Sequence, residues 1–203
     1  MHEDDEAMAE RLRAVTIGPL QRLDGPVRLD PPNPQWPRLF AREAARIRQV
    51  LMDGALVIEH VGSTSVPDLA AKPIIDMLLL VPDSTDEASY IPALEAAGYV
   101  LRHREPDWYQ HRLFHRPDTA INLHVFSEGC QEAERMLRFR DWLCSHPDDR
   151  ALYEQTKREL ARRTWAFRQQ YADAKSEVVQ AILERALTAE QGQQDIRTPG
   201  IER

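Results

Sequence analysis

The sequence predicts an α/β chain of the α+β kind: a small mixed sheet flanked by helices, then a helical C-terminal half. Three observations carry this. Two apolar runs, Ala55–Val61 and Ile74–Val81, are separated by a Gly62-Ser63 turn and a short polar stretch. Shorter strand-like segments follow, Tyr99–Arg102, His111–Arg116 and Thr119–Phe126. From Gln131 to Leu187 the chain is helical in character.

Residues 1–26 are charged, with an apolar stretch only near Leu12–Val15, and read as an N-terminal tail or a short helix. Residues 27–187 read as one domain and 188–203 as a flexible tail. Val27–Leu29 reads as a short edge strand closed by Asp30-Pro31-Pro32. Trp36, Leu39, Phe40, Ile47, Val50 and Leu51 form one helical stripe, with Asn33-Pro34 at its start. Ala55–Val61 and Ile74–Val81 are nearly continuous apolar runs, as in strands covered on both faces. Ser84 and Glu87 have capping-box spacing for a helix ended by Gly98, and Pro92 makes a start at Ser89 an equal alternative. Pro117-Asp118 predicts a hairpin between the last two strands. His146-Pro147 separates two helices.

Composition bounds the function. The chain has 203 residues, a net charge of −7, 42% hydrophobic and 29% charged residues. This suits a soluble globular domain and argues against bulk nucleic-acid binding, which needs phosphate neutralisation. Cys130 and Cys144 make no disulfide framework and read as reduced structural thiols. No apolar run reaches membrane-spanning length, and the acidic start lacks a signal-peptide pattern, so a cytoplasmic location is expected. Neither a Walker motif nor a Gly-x-Ser-x-Gly elbow occurs, which disfavours P-loop kinases and common esterases.

The candidate site begins at Gly62-Ser63-Thr64-Ser65. Glycine allows close backbone approach, and three hydroxyls in a row suit phosphate oxygens. The competing reading is a turn in which Ser65 caps a short helix. Asp76 stands alone in an apolar run and needs a cation, a metal or donors. Lys72 is a possible partner, and a structural ion pair is the alternative to a magnesium ligand. Strand alternation puts Asn122 and His124 on one face. His124 with Asp76 suits a general base or a metal pair; the alternative is a histidine bonded within the sheet. Arg112, Arg140, Lys157 and Lys175 are candidate anion clamps or solvated charges. Tyr153 and Tyr171 stack on a base or simply pack. His103, His111 and His115 do not suit one zinc ion, because strand positions four apart are about 13 Å apart. They read as surface or loop histidines.

The block His60-Val61-Gly62-Ser63-Thr64-Ser65-Val66-Pro67, with Ala71-Lys72-Pro73-Ile74-Ile75-Asp76, Leu123-His124-Val125 and Phe139-Arg140-Asp141, resembles the GrpB-like family of the nucleotidyltransferase superfamily. The resemblance spans roughly residues 27–187. It implies a nucleotidyltransferase-like fold, a nucleotide or other phosphate-bearing ligand, a divalent ion (magnesium or manganese) on Asp76, and basic clamps from the helical half. It also implies a departure from active nucleotidyltransferases, where a second acid follows two residues later; here that position is Leu78. Either one metal is used, other groups contribute, or the site binds nucleotide without transferring it. GrpB-like domains fused to dephospho-coenzyme A kinase suit an accessory role bound to coenzyme A-related phosphates. Asp76 is expected to share a cleft with the Gly62–Ser65 turn, and Lys157, Tyr171 and Lys175 to approach it.

Overall fold

A computed structural model describes the backbone of residues 3–197 and the side chains of residues 4–192. The two long apolar runs become antiparallel neighbours, β1 (Val57–Val61) and β2 (Ile75–Val81). The later segments form β3 (Val100–Glu105), β4 (His111–Arg116) and β5 (Ile121–Ser127). The sheet order is β1-β2-β5-β4-β3, with β2 and β5 parallel and the other pairs antiparallel. The expected β4–β5 hairpin is present.

Alternation then sorts the side chains. Ile75, Met77, Leu79, Ile121, Leu123, Val125 and Phe114 face one way. They pack under α2 (Gln35–Leu51) and α3 (Ile91–Ala96) through Trp36, Ala44, Ile47, Leu51 and Leu94. At the start of α2 the Asn33 side chain accepts a hydrogen bond from the Gln35 amide (2.9 Å). The short α3 begins with Pro92 in its first turn, where a missing amide costs nothing. Ser84 does not cap it: the side chain is buried and bonded to Ser127 and the Gln110 carbonyl.

The other face carries Asp76, Asn122 and His124 and is overlaid by the helical half: α4 (Gln131–Ser145), α5 (Pro147–Ala161), α6 (Arg168–Asp173) and α7 (Ser176–Arg197). Val61, Leu78 and Phe126 meet Ala133 of α4, which seats that helix on the sheet. Val66 and Leu69 meet Leu143, Tyr153 and Ile182, tying the loop after β1 to α4, α5 and α7.

Two segments differ from the sequence reading, and residues 3–15 take the helical one of the two forms it left open. In this helix, α1, Ala9 and Leu12 are buried against Phe167, and Arg11 pairs with Asp173 at 2.6 Å. Val27–Leu29 forms no strand; isolated bridges flank it, Gly25 with Trp165 and Asp30 with Ala71. The helix α7 runs on to Arg197 through most of the segment expected to be a loose tail; residues 198–203 of that tail lie outside the described residues. Among the described residues no helix is long and apolar enough to cross a membrane.

Candidate functional site

The turn after β1 is built by glycine. Gly62 sits at φ +68° and ψ −174°, a region essentially closed to other residues. A Cβ there would lie 2.5 Å from Asp76 Oδ2. The turn and the carboxylate therefore share one cleft and touch. Of the three hydroxyls, two are spent on the turn itself. Thr64 Oγ1 donates to the Ile74 carbonyl (3.3 Å) and meets His60 Nε2 (3.0 Å), while Ser65 Oγ donates to the Gly62 carbonyl (2.6 Å). Burial pushes the His60 imidazole down to about 4, so it stays neutral and donates to Thr64. Ser63 lines the cleft with no hydrogen bond from its hydroxyl among the described residues.

Asp76 keeps 30% of its side chain exposed toward the cleft. Its Oδ1 accepts from Asn122 Nδ2 at 2.8 Å, and His124 Nε2 stands 3.8 Å away. Burial alone raises a carboxyl; His124, Lys72 and Asn122 outweigh it and hold Asp76 below its ordinary value. The parallel β2–β5 register makes this trio, pairing Asp76 with Asn122 and Leu78 with His124. Leu78 is fully buried beneath α4, so the place of a second acid is dry core.

Opposite the sheet stand Lys72, from the segment before β2, Lys157 of α5, and Lys175 between α6 and α7. All three line a cavity of about 360 Å³ together with Gly62, Ser63 and Asp76. Lys157 is only 2% exposed and donates to the Ala70 carbonyl. Burial, then the Lys175 charge, pulls Lys157 down to about 7 and Lys72 to about 8. The ammoniums of Lys72 and Lys175 lie 5.4 and 4.9 Å from the Tyr171 ring centre, and Lys157 lies 4.9 Å from that of Tyr153. Both tyrosines line the cavity, but buried, as seats for lysines rather than as free stacking surfaces. Trp108, at 40% exposure on the cavity wall, is the aromatic open to a flat ligand, and sequence reasoning did not single it out.

Two expected clamps are corrected. Arg112 faces the opposite side of the sheet: alternation along β4 pairs it with Phe114, and its Nε donates to Glu87 at 2.6 Å. Arg140 reaches the cavity wall, yet its guanidinium is committed to Glu59, Asp141 and the His60 carbonyl at 2.7–2.9 Å, bracing β1 to α4.

The expected surface histidines are also corrected. His111 is 2% exposed. Its Nδ1 meets Glu105 Oε2 at 2.6 Å and its Nε2 meets His124 Nδ1 at 3.1 Å. Cross-strand register was the available signal: Leu113 opposes His124, so His111 is its diagonal neighbour. His103 and His115 line a second lobe of about 360 Å³ that adjoins the first at Asp76, His124, Lys72 and Lys175. A bulge in β3 between Leu101 and His103 turns Arg102 toward this lobe as well. Arg168 also lines it, with no hydrogen bond or ion pair among the described residues. No group of three metal-ligating side chains occurs among the described residues, so Asp76 and His124 offer a divalent ion only a partial shell.

The family described as GrpB protein matches residues 26–185. A UPF0157 protein of Halalkalibacterium halodurans is 58% identical over 87% of this chain and 91% of its own length. A dephospho-CoA kinase of Mycolicibacterium paratuberculosis is 34% identical over 68% of this chain, a match that takes in 40% of that kinase. The crystal structure of GrpB from Enterococcus faecalis superposes with a TM-score of 0.67 at 29% identity, covering 81% of this chain and 99% of that one. With five strands in one mixed sheet, a lysine-walled cleft and this match across its length, the chain belongs to the GrpB family.

Proposed function

We propose that the cleft binds a nucleoside triphosphate or a related phosphate compound and transfers a nucleotidyl group to a small acceptor. One observation carries the reading: Lys72, Lys157 and Lys175 converge on a cavity whose other acid, Glu132, is already held by Arg135 at 2.7 and 2.8 Å. Three lysines crowd against the single carboxylate of Asp76, Lys72 and Lys157 buried enough to bind their protons weakly, and a polyanion would let all three carry their charge. Phosphates then meet the lysines, the Ser63 hydroxyl and the turn at Gly62, and Trp108 is placed to stack on a base. The lysines would stabilise the leaving pyrophosphate. Magnesium or manganese would enter this reading with the ligand, and Asp76, with His124 beside it, would hold it together with the phosphates. Such an ion supplies charge neutralisation at the phosphates. Free thiols at Cys130 and Cys144 fit a cytoplasmic setting, where such nucleotides occur.

The buried Leu78 favours a second reading, in which the same cleft holds a nucleotide or coenzyme A-related phosphate without chemistry. Calorimetry separates the two. Transfer predicts that magnesium or manganese and ATP bind synergistically to the native protein, that Asp76→Asn abolishes the synergy, and that pyrophosphate is released when an acceptor is supplied. Nucleotide affinity indifferent to metal and to Asp76→Asn rejects transfer and leaves the binding module.

A further inference from the structure

We propose that the second lobe is a subsite of its own for a small organic anion, gripped by Arg102 and Arg168 and walled by residues 12–22. Charge is the first observation. The chain has a net charge of −7, yet Lys72, Arg102, Arg168 and Lys175 line this lobe, and Asp76 is its one lining acid among the described residues. Arg22 lines it too but is spent on Asp24 at 2.9 Å. The lysines are shared with the first lobe, whereas the two arginines belong to the second. Neither arginine has a carboxylate partner among the described residues. A guanidinium stays charged at physiological pH, and its planar fork matches a carboxylate or a phosphate. Beyond Lys72, Arg102 and Arg168 a further hollow of about 570 Å³ has no lining acid among the described residues, which leaves room for the anion's tail.

Arg102 is held in place by the chain around it. Its carbonyl accepts from the Ile17 amide (2.7 Å), and its Nη2 donates to the Pro19 carbonyl (3.0 Å). Between them Gly18 takes φ +84°, and a Cβ there would stand 3.3 Å from Arg102 Nη1. Glycine thus lets the backbone wrap the guanidinium closely. No acceptor meets Nε or Nη1 among the described residues, so those donors remain for a ligand. A side chain fixed in this way loses little freedom when an anion binds.

A missing partner is the independent observation. Thr16 lines the lobe, and its Oγ1 is buried with no hydrogen-bond partner among the described residues. Buried hydroxyls are nearly always bonded, so this one points to a polar group that the lobe takes in. Leu12, Thr16 and Gln21 precede residues 26–185, the stretch matched by the family. The wall of this lobe is therefore a part of the cleft that the family match does not cover. That the anion is the acceptor rests on the transferase reading above. A hydroxyl oxygen of the acceptor would then bond to the α-phosphorus, and its proton would pass to water. The bond from that phosphorus to pyrophosphate would break, pyrophosphate leaving with the electron pair.

Calorimetry on the whole protein tests this with two hydroxyl-bearing probes, glycerol 3-phosphate for the phosphate class and malate for the carboxylate class, each with and without saturating ATP. At least one probe should bind one-to-one in both conditions, and the tighter of the two fixes the anion's class. Arg168→Gln breaks no hydrogen bond within the protein and should weaken that probe at least about tenfold, as should Arg102→Gln. Thr16→Val should weaken it about fivefold while the ligand-free protein melts no lower, since an unbonded hydroxyl gives way to a methyl. Arg48→Gln removes the same charge from an exposed position on α2, across the sheet, and should leave the affinity unchanged. The proposal is overturned if neither probe binds, if ATP displaces the bound probe, or if Arg168→Gln behaves like Arg48→Gln. An unweakened Thr16→Val overturns the part given to residues 12–22. If Arg102→Gln fails to fold, Arg168→Gln decides alone. Failure of ATP to bind strikes the transferase reading, while the titrations without ATP still decide the anion site.

Discussion

Replacing Gly62 by alanine tests the contact on which the site is built. The new methyl would sit 2.5 Å from Asp76 Oδ2, and 3.0 and 3.1 Å from its Cβ and Cγ. Rotating the carboxylate relieves the first contact but not the one to Cβ, which is fixed to the β2 backbone. The conformation at φ +68° and ψ −174° adds about 1–3 kcal/mol for a residue with a side chain. Displacing the carboxylate breaks the 2.8 Å bond from Asn122, about 1.5–3 kcal/mol for a hydrogen bond to a charged group. Together these give a loss of about 2.5–6 kcal/mol, a large part of the 5–15 kcal/mol typical of a whole domain. Urea unfolding at constant m-value measures it, with Gly54→Ala as the control, since nothing lies within 4 Å of a Cβ there. The control should change stability by less than about 1 kcal/mol. A loss of similar size in Gly62→Ala, with nucleotide affinity intact, would refute the close packing of turn and carboxylate.

Other outcomes follow from the lysines and the misplaced arginine. Lys72→Met keeps the stem packing and removes a desolvated charge, so stability should hold or rise while affinity for ATP falls at least tenfold by calorimetry. Lys157 is at about 7 in the folded protein against an ordinary value of 10.5, so between those values the unfolded chain binds more protons. Ligand-free stability should therefore rise from pH 7 to 9, and Lys157→Met should flatten the rise in urea midpoint. A phosphate ligand should restore protons to Lys72 and Lys157, giving net proton uptake at pH 8.5 when titrations in buffers of different ionisation enthalpy are compared. Arg112→Gln should cost about 1–3 kcal/mol, because it strips a buried partner from Glu87 that Arg104 still holds at 2.6 Å, and should leave nucleotide affinity unchanged.

The heart of the site was legible because it is local. Residues 62–76 contain the turn, a lysine and the acid, and apolar strands at both ends fix how they meet. The approach of Lys157, Tyr171 and Lys175 came from the family resemblance and is matched by their place on the cavity wall. Arg112 was misread because charge was weighed before parity: Phe114, two residues on, is a core residue, and the two share a face. His111 was missed because distances were reckoned along one strand, whereas its partner lies across the hairpin. The hydroxyls of Thr64 and Ser65 looked free because short-range bonds to His60, Ile74 and Gly62 leave no periodic trace. The helix α1 was read as a tail or short helix, since Ala9 and Leu12 are too sparse a stripe to reveal Phe167 as their cover.

The long reach of the contacts around the cleft sets the order in which it can form. Asp76 and Asn122 are 46 residues apart in the chain, Lys157 and Ala70 are 87 apart, and the ion pair of Arg11 with Asp173 closes 162. Closing such loops is slow and entropically costly before their contacts form. During synthesis the turn and its acid emerge well before Lys157 and Lys175, so the cleft is completed only when the helical half docks. Docking also brings three like charges together, which opposes the last step. On the proposed function, a phosphate ligand would bind only the completed cleft, and it would then draw that step forward by mass action and make closure of the helical half respond to ligand supply.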